Sequence, residues 1–303
     1  MRAIPVFMLS WAATFAAPVD AQVTSQTSSE CRLIMDVMSA RWSIENHDPY
    51  SGEVPFKQFQ LALTNSGNGT CTGTLEAELL GEPYGLAGPG TERVPYTLVD
   101  EEGGRDLTPR TGKSSRMVSG RPLVVGPGET VTRSLSLMVD ASKLRGDGSF
   151  SQQLRLQGVG QELDVLTSRD LSLELQVRPV TAIQLAGAVS RRAGSGATID
   201  LGELSEGLHQ SPVQLQVQST RGYVVSFSSE NHGRLSLGTT GWSVPYALML
   251  DGERYQLNQP SSMRVGGGTE RFDHFSLGFD VDSVSGLRAG RYSDVLTISV
   301  QPM

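Results

Sequence analysis

Positive charge is scarce in this 303-residue sequence: 25 lysine and arginine residues stand against 32 aspartate and glutamate residues, which gives a net charge of -7. A protein that binds nucleic acid needs a basic face to neutralise phosphates, so this balance argues against nucleic acid as a partner. Long apolar runs are also missing after the first residues, and no later stretch is expected to cross a bilayer. The length suggests about two domains.

The residue patterns that carry catalysis or metal binding are missing as well. The chain has four isolated histidines, none in an HxH or HxxxH pair: His47, His209, His232 and His274. There is no GxSxG nucleophile elbow. The glycine-rich stretches at Gly194 and Gly266 precede strands rather than the helix that a phosphate loop requires. The sequence therefore predicts a protein that is not an enzyme and uses no cofactor or metal. The alternative that stays open is a metal site assembled from residues of distant loops.

The first residues have the pattern of a targeting segment. Arg2 supplies a positive start, an apolar stretch runs from Ile4 to Ala17, and small residues precede a cleavage site after Ala21. We expect residues 1–21 to be a signal peptide, so that the mature chain begins at Gln22. The mature chain is then expected to pass through the periplasm to the cell surface or to be secreted. A membrane anchor is the alternative interpretation.

Cysteine is nearly absent, with only Cys31 and Cys71 in the chain. Export places both in an oxidising compartment, where paired thiols become disulfides. No CxxC spacing or neighbouring histidine supports a metal site or a reactive thiol. We therefore predict a structural disulfide that closes a loop of about 40 residues and contributes roughly 3–4 kcal/mol in the chain-entropy model.

Helical periodicity is nearly absent, whereas apolar and polar residues alternate along most of the chain. The stretches LSLELQVRP, FSLGFDVD, RSLSLMV, QLALTN and QLQVQS all show this alternation, and glycine-rich turns separate them. Short strands with one polar face are typical of antiparallel sheets packed as sandwiches or barrels. We predict an all-β protein of two immunoglobulin-like antiparallel β-sandwich domains.

The two halves of the chain repeat each other loosely. VPYTLVDEEGGRDL at Val94 returns as VPYALMLDGERYQL at Val244, and FQLALTN at Phe59 parallels VQLQVQS at Val213. RDLSLELQVRP, which ends at Pro179, is similar to YSDVLTISVQP near the end of the chain. We expect one β-sandwich in residues 22–179, with an additional loop in residues 100–125, and a second in residues 180–303. Chance similarity between hairpins of like composition is the alternative.

The second half resembles the spore-coat-U-like domain of subunits of archaic chaperone–usher pili. IDLGELSEG at Ile199 is similar to an early family segment, and VQLQVQSTRGYVVSFSSENHGRLSL is similar to its central hairpin. LRAGRYSDVLTISVQP resembles the closing AGxYxDxxTVTV strand, with five matching residues: Ala289, Gly290, Tyr292, Asp294 and Thr297. The match departs from the family in the segment from Val180 to Leu201, which lacks the usual early cysteine.

The resemblance implies a pilin domain that is an incomplete sandwich, one edge strand short. A periplasmic chaperone would lend a strand beside the last strand of the domain, and at the outer-membrane usher an adjacent subunit would replace it. Four residues are then expected to form the groove wall and the chaperone contact: Leu296, Ile298, Val300 and Met303. Met303 would place the chain end where a chaperone can bind its carboxylate.

The start of the mature chain determines which position in the pilus is expected. The segment from Gln22 to Glu30 reads QVTSQTSSE, and Val23 is its only large apolar residue, so it is not expected to fill a neighbour's groove. A subunit that accepts a strand and donates none belongs at the tip. We therefore predict a two-domain tip adhesin whose first domain is adhesive. Four residues in apolar loops are the predicted contacts: Tyr50, Phe56, Tyr84 and Leu86.

Two other interpretations stay open. The chain could be a self-contained secreted or periplasmic binding protein made of two complete sandwiches, in which case the polar start is only a spacer. It could also be a periplasmic chaperone, a class that has two immunoglobulin-like domains. A chaperone would carry a basic anchoring cleft and a long alternating donor strand in its first domain, and that pairing is not found in the sequence.

Overall fold

A computed structural model describes residues 30–115, 120–187, 191–193, 196–267 and 270–303, with the backbone alone for 191–193. The predicted signal peptide and the polar segment from Gln22 to Ser29 lie outside these residues. The described residues form 23 strands and no helix, so the predicted all-β class is confirmed. In the same residues there is no helix of the length and hydrophobicity needed to span a membrane.

Twelve strands make up residues 33–177, which we call the N-terminal sandwich. They are β1 (Leu33–Val37), β2 (Arg41–His47), β3 (Phe56–Asn65), β4 (Cys71–Leu79), β5 (Leu86–Ala87), β6 (Arg93–Val94), β7 (Tyr96–Asp100), β8 (Arg105–Asp106), β9 (Leu123–Val125), β10 (Thr130–Val139), β11 (Gly148–Gly160) and β12 (Val165–Val177).

These strands form two facing sheets. One has the order β1-β3-β10-β7-β8, and the other has the order β2-β12-β11-β4-β9, with β5 paired to β11 and β6 paired to β5. All pairings are antiparallel except that of β2 with β12. β1 and β2 are consecutive, yet they join opposite sheets. This arrangement is a complete immunoglobulin-like sandwich.

Eleven strands make up residues 181–302, which we call the C-terminal sandwich. They are β13 (Thr181–Gly187), β14 (Arg191–Ala193), β15 (Gly196–Thr198), β16 (Gly207–Ser219), β17 (Tyr223–Ser229), β18 (Arg234–Ser236), β19 (Ser243–Leu250), β20 (Glu253–Gln256), β21 (Ser261–Val265), β22 (Arg271–Val281) and β23 (Leu296–Pro302).

One sheet of this sandwich has the order β13-β16-β22-β19-β18, with β20 paired to β19, and the facing sheet has the order β21-β17-β23. β14 and β15 form a small hairpin between β13 and β16. Each sandwich has its own apolar core, built around Leu98 and Leu135 in the first and around Val217 and Phe227 in the second. The predicted division after Pro179 falls between β12 and β13 and stays a proposal.

Two of the three sequence repeats occupy equivalent strands. FQLALTN lies in β3 and VQLQVQS in β16. Tyr96 of the first VPY segment begins β7, the second VPY segment lies near the start of β19, and both strands turn into a short hairpin, β7–β8 and β19–β20. The third repeat was misassigned. RDLSLELQVRP lies mainly in β12, between β11 and β2, and YSDVLTISVQP lies mainly in β23. β23 pairs with β17 in the way that β11 pairs with β4, so β23 corresponds to β11 and not to β12. Similar alternation was mistaken for an equivalent place in the sheet.

The predicted disulfide between Cys31 and Cys71 is present. It joins Cys31, two residues before β1, to Cys71, the first residue of β4 in the facing sheet. The additional loop expected in residues 100–125 contains β8 and β9, and residues 116–119 of it lie outside the described ranges. The loop covers one end of the sandwich core, where Asp100 and Arg133 are buried 3.7 Å apart.

Candidate functional site

The candidate site lies along β23, which has a strand neighbour on one side only among the described residues. It pairs antiparallel with β17, and the register places Val300 opposite Val225, Ile298 opposite Phe227 and Leu296 opposite Ser229. Paired residues in an antiparallel ladder point to the same face of the sheet. The three apolar side chains of β23 therefore point toward the core, as the sequence predicts.

The burial of these paired residues differs sharply. Val225 and Phe227 on β17 are 0% and 1% exposed. Leu296, Ile298 and Val300 pack against the same core but are only partly buried. A side chain that points into a sandwich core and still contacts solvent has a missing neighbour on its open side.

A second wall is formed by β13, the first strand of the facing sheet. Ile183 pairs with Val217 and points to the same face, but it is 46% exposed whereas Val217 is fully buried. Leu185, two residues further along, is partly buried against the core. Within the described ranges β13 pairs with β16 alone, and it comes within 8 Å of β23, Cα to Cα, without a ladder between them.

We call the apolar trough between these two strands the open groove. Its walls are Ile183, Leu185, Leu296, Ile298 and Val300. Neither wall strand contains a charged residue, since they read TAIQLAG and LTISVQP. The walls of the groove therefore offer main-chain groups and apolar side chains to a neighbour, and no ion pairs.

The N-terminal sandwich shows what fills this position in a complete fold. There β12 lies between β11 and β2, antiparallel to the first and parallel to the second. Four side chains of β12 point into the core and are at most 4% exposed: Leu171, Leu173, Leu175 and Val177. The corresponding position beside β23 holds no strand of the described residues.

One end of the groove lies at the junction of the two sandwiches. The Met303 amide donates to the Gly222 carbonyl at 2.8 Å, and Arg221 donates to the Met303 carbonyl at 3.2 Å. Arg221 also pairs with Asp147 of the N-terminal sandwich, with Nε 3.0 Å from Oδ1. The hydrogen bond to Asp147 raises the pKa of Arg221. The Met303 side chain is 48% exposed, and its predicted role in chaperone binding stays a prediction.

Two tyrosine–aspartate hydrogen bonds join the sheets of the C-terminal sandwich. Tyr223 on β17 donates to Asp273 on β22 at 2.7 Å, and Tyr246 on β19 donates to Asp294 at 2.7 Å, just before β23. Burial, followed by the bonded carboxylate, raises the pKa of both tyrosines, so their hydroxyls stay protonated donors. The hydrogen bond from Arg271 is the main reason that the pKa of Asp273 is lowered.

Two of the four predicted adhesive residues are not positioned for contact. Leu86 lies in β5 with no exposed surface, so its assignment to an exposed loop is wrong. Tyr84 is partly buried against the same core, and its hydroxyl donates to the Tyr96 carbonyl and accepts from the Tyr96 amide at 2.9 Å. Turn-forming residues around them suggested exposure, but the loop folds back onto the sandwich.

The other two adhesive candidates lie near the connection to the C-terminal sandwich. Phe56 begins β3 and is 54% exposed. Tyr50 lines a cleft of about 640 Å³ that also includes Arg145 and, from the C-terminal sandwich, Gln218. Burial raises the pKa of Tyr50 to about 12, with Glu270 as the next cause. A role for either residue in adhesion stays a prediction.

The opposite end of the N-terminal sandwich exposes apolar residues that sequence reasoning did not select. Leu163, in the turn between β11 and β12, is 63% exposed and has a φ of +68°. Val165, two residues later in β12, is 56% exposed, and Val124 on β9, two strand positions from β11 in the same sheet, is 51% exposed. β12 spans 13 residues, which separates this turn from Val177 by roughly 40 Å at the usual rise per residue.

Sequence reasoning also missed Ile183 and Leu185, the β13 wall of the groove. Their alternation in TAIQLAG was a usable signal, but it cannot indicate that a neighbouring strand is missing. No group of three histidine, cysteine, aspartate or glutamate side chains within the described ranges is arranged to hold a metal ion.

Comparison with known proteins gives a likeness in fold. Neither a protein-family model nor a curated protein matches the chain, so the spore-coat-U resemblance stays a hypothesis. A chain of the CsuC–CsuE chaperone–tip adhesion subunit pre-assembly complex, from archaic chaperone-usher Csu pili of Acinetobacter baumannii, aligns with a TM-score of 0.50 at 13% identity. The alignment covers 88% of this chain and 100% of that chain.

A weaker match is CfaE, the adhesive subunit of CFA/I fimbria of enterotoxigenic Escherichia coli. It has a TM-score of 0.33 and 13% identity, over 86% of this chain and 91% of that chain. At such low identity the first match indicates a shared fold only, and the second supports no further argument.

Proposed function

We propose that this protein is a non-catalytic adhesive subunit at the tip of a surface pilus, and that its C-terminal sandwich accepts a β-strand from another chain. The observation that carries the proposal is the open groove, in which inward-pointing side chains on both walls, such as Ile183 and Ile298, are left at least partly open to solvent. The likeness in fold to a chain of a chaperone–tip adhesion subunit complex supports it.

The partners follow from the same groove. A periplasmic chaperone fills it first, and at the outer-membrane usher a strand of the adjacent pilin replaces the chaperone strand. By analogy with β12, a strand that completes the fold runs antiparallel to β23 and parallel to β13. Four or five apolar side chains buried at roughly 1.5–3 kcal/mol each give about 6–15 kcal/mol before the costs of ordering and association.

The two sandwiches divide the work. The C-terminal sandwich is the pilin domain and the N-terminal sandwich, complete and closed by a disulfide, is the adhesive domain. The surface around Leu163 lies at the end of the N-terminal sandwich far from the open groove, so it stays accessible when the groove is filled. Exposed apolar side chains at this end of the sandwich suit contact with hydrophobic surfaces.

A fused strand tests the proposal in the mature chain. A copy of residues 170–177, DLSLELQV, is joined through a short glycine-rich turn after Met303, so that it can fold back beside β23. The matched control carries aspartate in place of its three leucines. We expect the apolar strand to raise the unfolding midpoint of the C-terminal sandwich by roughly 10 °C and to suppress self-association, and the control strand to do neither.

The second candidate is a self-contained secreted or periplasmic binding protein. It predicts that the unfused mature chain is monomeric and cooperatively folded, and that the fused apolar strand changes neither property. That combination of results would reject the strand-acceptor proposal in favour of the self-contained protein.

A further inference from the structure

The carboxylate of Asp294 is a junction of four hydrogen bonds at the start of β23. Its Oδ2 accepts from Ser229 Oγ at 2.5 Å and from the Tyr246 hydroxyl at 2.7 Å. Its Oδ1 accepts from the Asn231 amide at 3.0 Å and from the Val295 amide at 2.8 Å. A carboxylate that receives this many donors forms charge-assisted bonds, which are stronger than those between neutral groups.

The four donors belong to different parts of the C-terminal sandwich. Ser229 ends β17, the only strand that pairs with β23 in the described residues, and Asn231 lies in the turn that follows it. Tyr246 lies on β19 in the facing sheet and is 5% exposed. Asp294 therefore ties the beginning of β23 to its ladder partner and to the opposite sheet at once.

The beginning of β23 has few restraints on its open side. On its other side, the Glu230 amide donates to the Val295 carbonyl at 3.0 Å, and Ser293 exchanges two main-chain hydrogen bonds of 3.0 Å with Ser236 of β18. Val295 is 57% exposed, and Leu296 and Ile298 are only partly buried because the groove is open. A strand with a ladder on one side and little buried surface is prone to local opening. The far end is held differently, by the contacts of Met303 with Gly222 and Arg221.

We infer that Asp294 is a positioning residue of the open groove: it holds the first residues of β23 in register with β17 while the groove is empty, so that an incoming strand meets a preformed edge. This inference rests on the proposed function. Once a second ladder forms on the open side of β23, the strand is held from both sides and Asp294 contributes less to its order.

The test is residue-resolved amide hydrogen exchange of the full mature chain, alone and with the fused strand DLSLELQV. Asp294→Asn keeps the shape of the side chain but replaces an acceptor oxygen with a donor group and removes the charge. In the unfused chain we expect the protection of the Thr297 and Ser299 amides, which face β17 in the ladder, to fall by about tenfold to a hundredfold, the loss expected for hydrogen bonds to a charged group. In the fused chain we expect a change of less than about threefold.

Two further variants separate positioning from general stability. Tyr246→Phe removes one donor and keeps the buried ring, so it should give a smaller loss at the same residues even if Asp294→Asn fails to fold. Asp273→Asn is the matched control, because it removes the carboxylate of the other tyrosine–aspartate bond that joins the sheets. It should lower protection across the sandwich without a selective loss at the Thr297 and Ser299 amides.

Equal protection of the Thr297 and Ser299 amides in the wild-type and Asp294→Asn chains, or the same loss with the groove filled and empty, would overturn the role of Asp294. In either case, the strand-acceptor proposal stands if the fused strand increases amide protection along β23 in the wild-type chain. A wild-type β23 that gains none overturns the strand-acceptor proposal and the role of Asp294 together.

Discussion

Val225 and Val300 lie opposite each other in the ladder between β17 and β23 and point to the same core, yet Val225 is fully buried and Val300 is not. The difference arises at the edge, since β17 has strands on both sides and β23 has β17 alone in the described part of the chain. In the N-terminal sandwich, β12 covers the equivalent position and the inward residues of β11, such as Leu154 and Leu156, are fully buried.

Replacing Ile298 with aspartate is expected to abolish strand capture. The substitution puts a charge where an apolar side chain of the incoming strand must pack, and the expected loss in binding free energy is about 2–4 kcal/mol or more. Thr297→Asp is the matched control, because Thr297 is the neighbouring residue and points to the exposed face. Periplasmic pull-down with the chaperone measures capture, and equal capture by both variants would contradict the assignment of the groove.

Alanine substitutions on equivalent faces should differ in their effect on the free energy of unfolding. Leu173→Ala removes a fully buried side chain of β12 and should cost about 2–5 kcal/mol, because Leu173 has no exposed surface. Ile298→Ala in the unfilled C-terminal sandwich should cost less than about 1.5 kcal/mol, because Ile298 is only partly buried and leaves no closed cavity.

Urea titrations with and without the fused strand DLSLELQV check this pair of values. The cost of Ile298→Ala should rise toward that of Leu173→Ala when the strand is present, since the groove then closes over the side chain. A cost for Ile298→Ala that is already large in the unfused chain, and unchanged by the fusion, would indicate a core that is complete without a second chain.

The sequence was sufficient to predict strands but not their neighbours. Alternation in LSLELQV and FSLGFDV predicts a buried face, and both stretches are strands, β12 and β22. Alternation looks the same in an edge strand and in a central strand, so it did not reveal that β12 is a central strand and β23 an edge strand. The burial of Leu86 was missed for a related reason, since turn residues mark a loop without indicating which way the loop folds.

Loss of the disulfide is expected to destabilise the N-terminal sandwich selectively. Cys31 and Cys71 are 40 residues apart in sequence, and a crosslink over that span contributes roughly 3–4 kcal/mol in the chain-entropy model. The double variant Cys31→Ala, Cys71→Ala should lower the unfolding midpoint of this sandwich only. Urea titrations measure the shift in the unfolding midpoint, and an added reductant removes the disulfide by a second route. An equal shift in both sandwiches would argue against independent cores.

The contact between Arg221 and Asp147 should make the junction of the two sandwiches sensitive to acid. Burial acts to raise the pKa of Asp147, but hydrogen bonds from Arg221 and Thr220 and the charge of Arg221 outweigh it, so the pKa lies below its ordinary value of 3.8. Because the folded-state pKa is the lower one, the stabilisation is complete above pH 3.8 and is lost as the pH falls through the folded-state value.

The variant Asp147→Asn provides the measurement for this junction. Its unfolding free energy should lie below that of the wild type by a constant amount above about pH 5, and the two should converge as the pH falls below the unfolded-state pKa. Urea titrations at several pH values between 6 and about 2.5 follow the convergence. A difference that does not change with pH would exclude a stabilising ion pair at this position.

The turn at Leu163 allows adhesion and stability to be separated. A leucine at a φ of +68° is in the left-handed region, which costs an L-residue about 1–2 kcal/mol, and its side chain gains little burial in return because it is 63% exposed. Leu163→Gly relieves the backbone and should leave the free energy of unfolding unchanged or raise it by about 1 kcal/mol. If the turn is a contact surface, the same variant should bind hydrophobic beads less well.

Phe56→Ser is the comparison for this last variant, because it removes an aromatic ring of similar exposure at the other end of the N-terminal sandwich. Retention of the purified chain on polystyrene, measured against hydrophilic glass, gives the readout for both. Reduced retention for Leu163→Gly alone places the contact surface at the end far from the open groove. Reduced retention for Phe56→Ser alone would instead place it beside the connection between the sandwiches, where a filled groove and its partner chain lie closer to it.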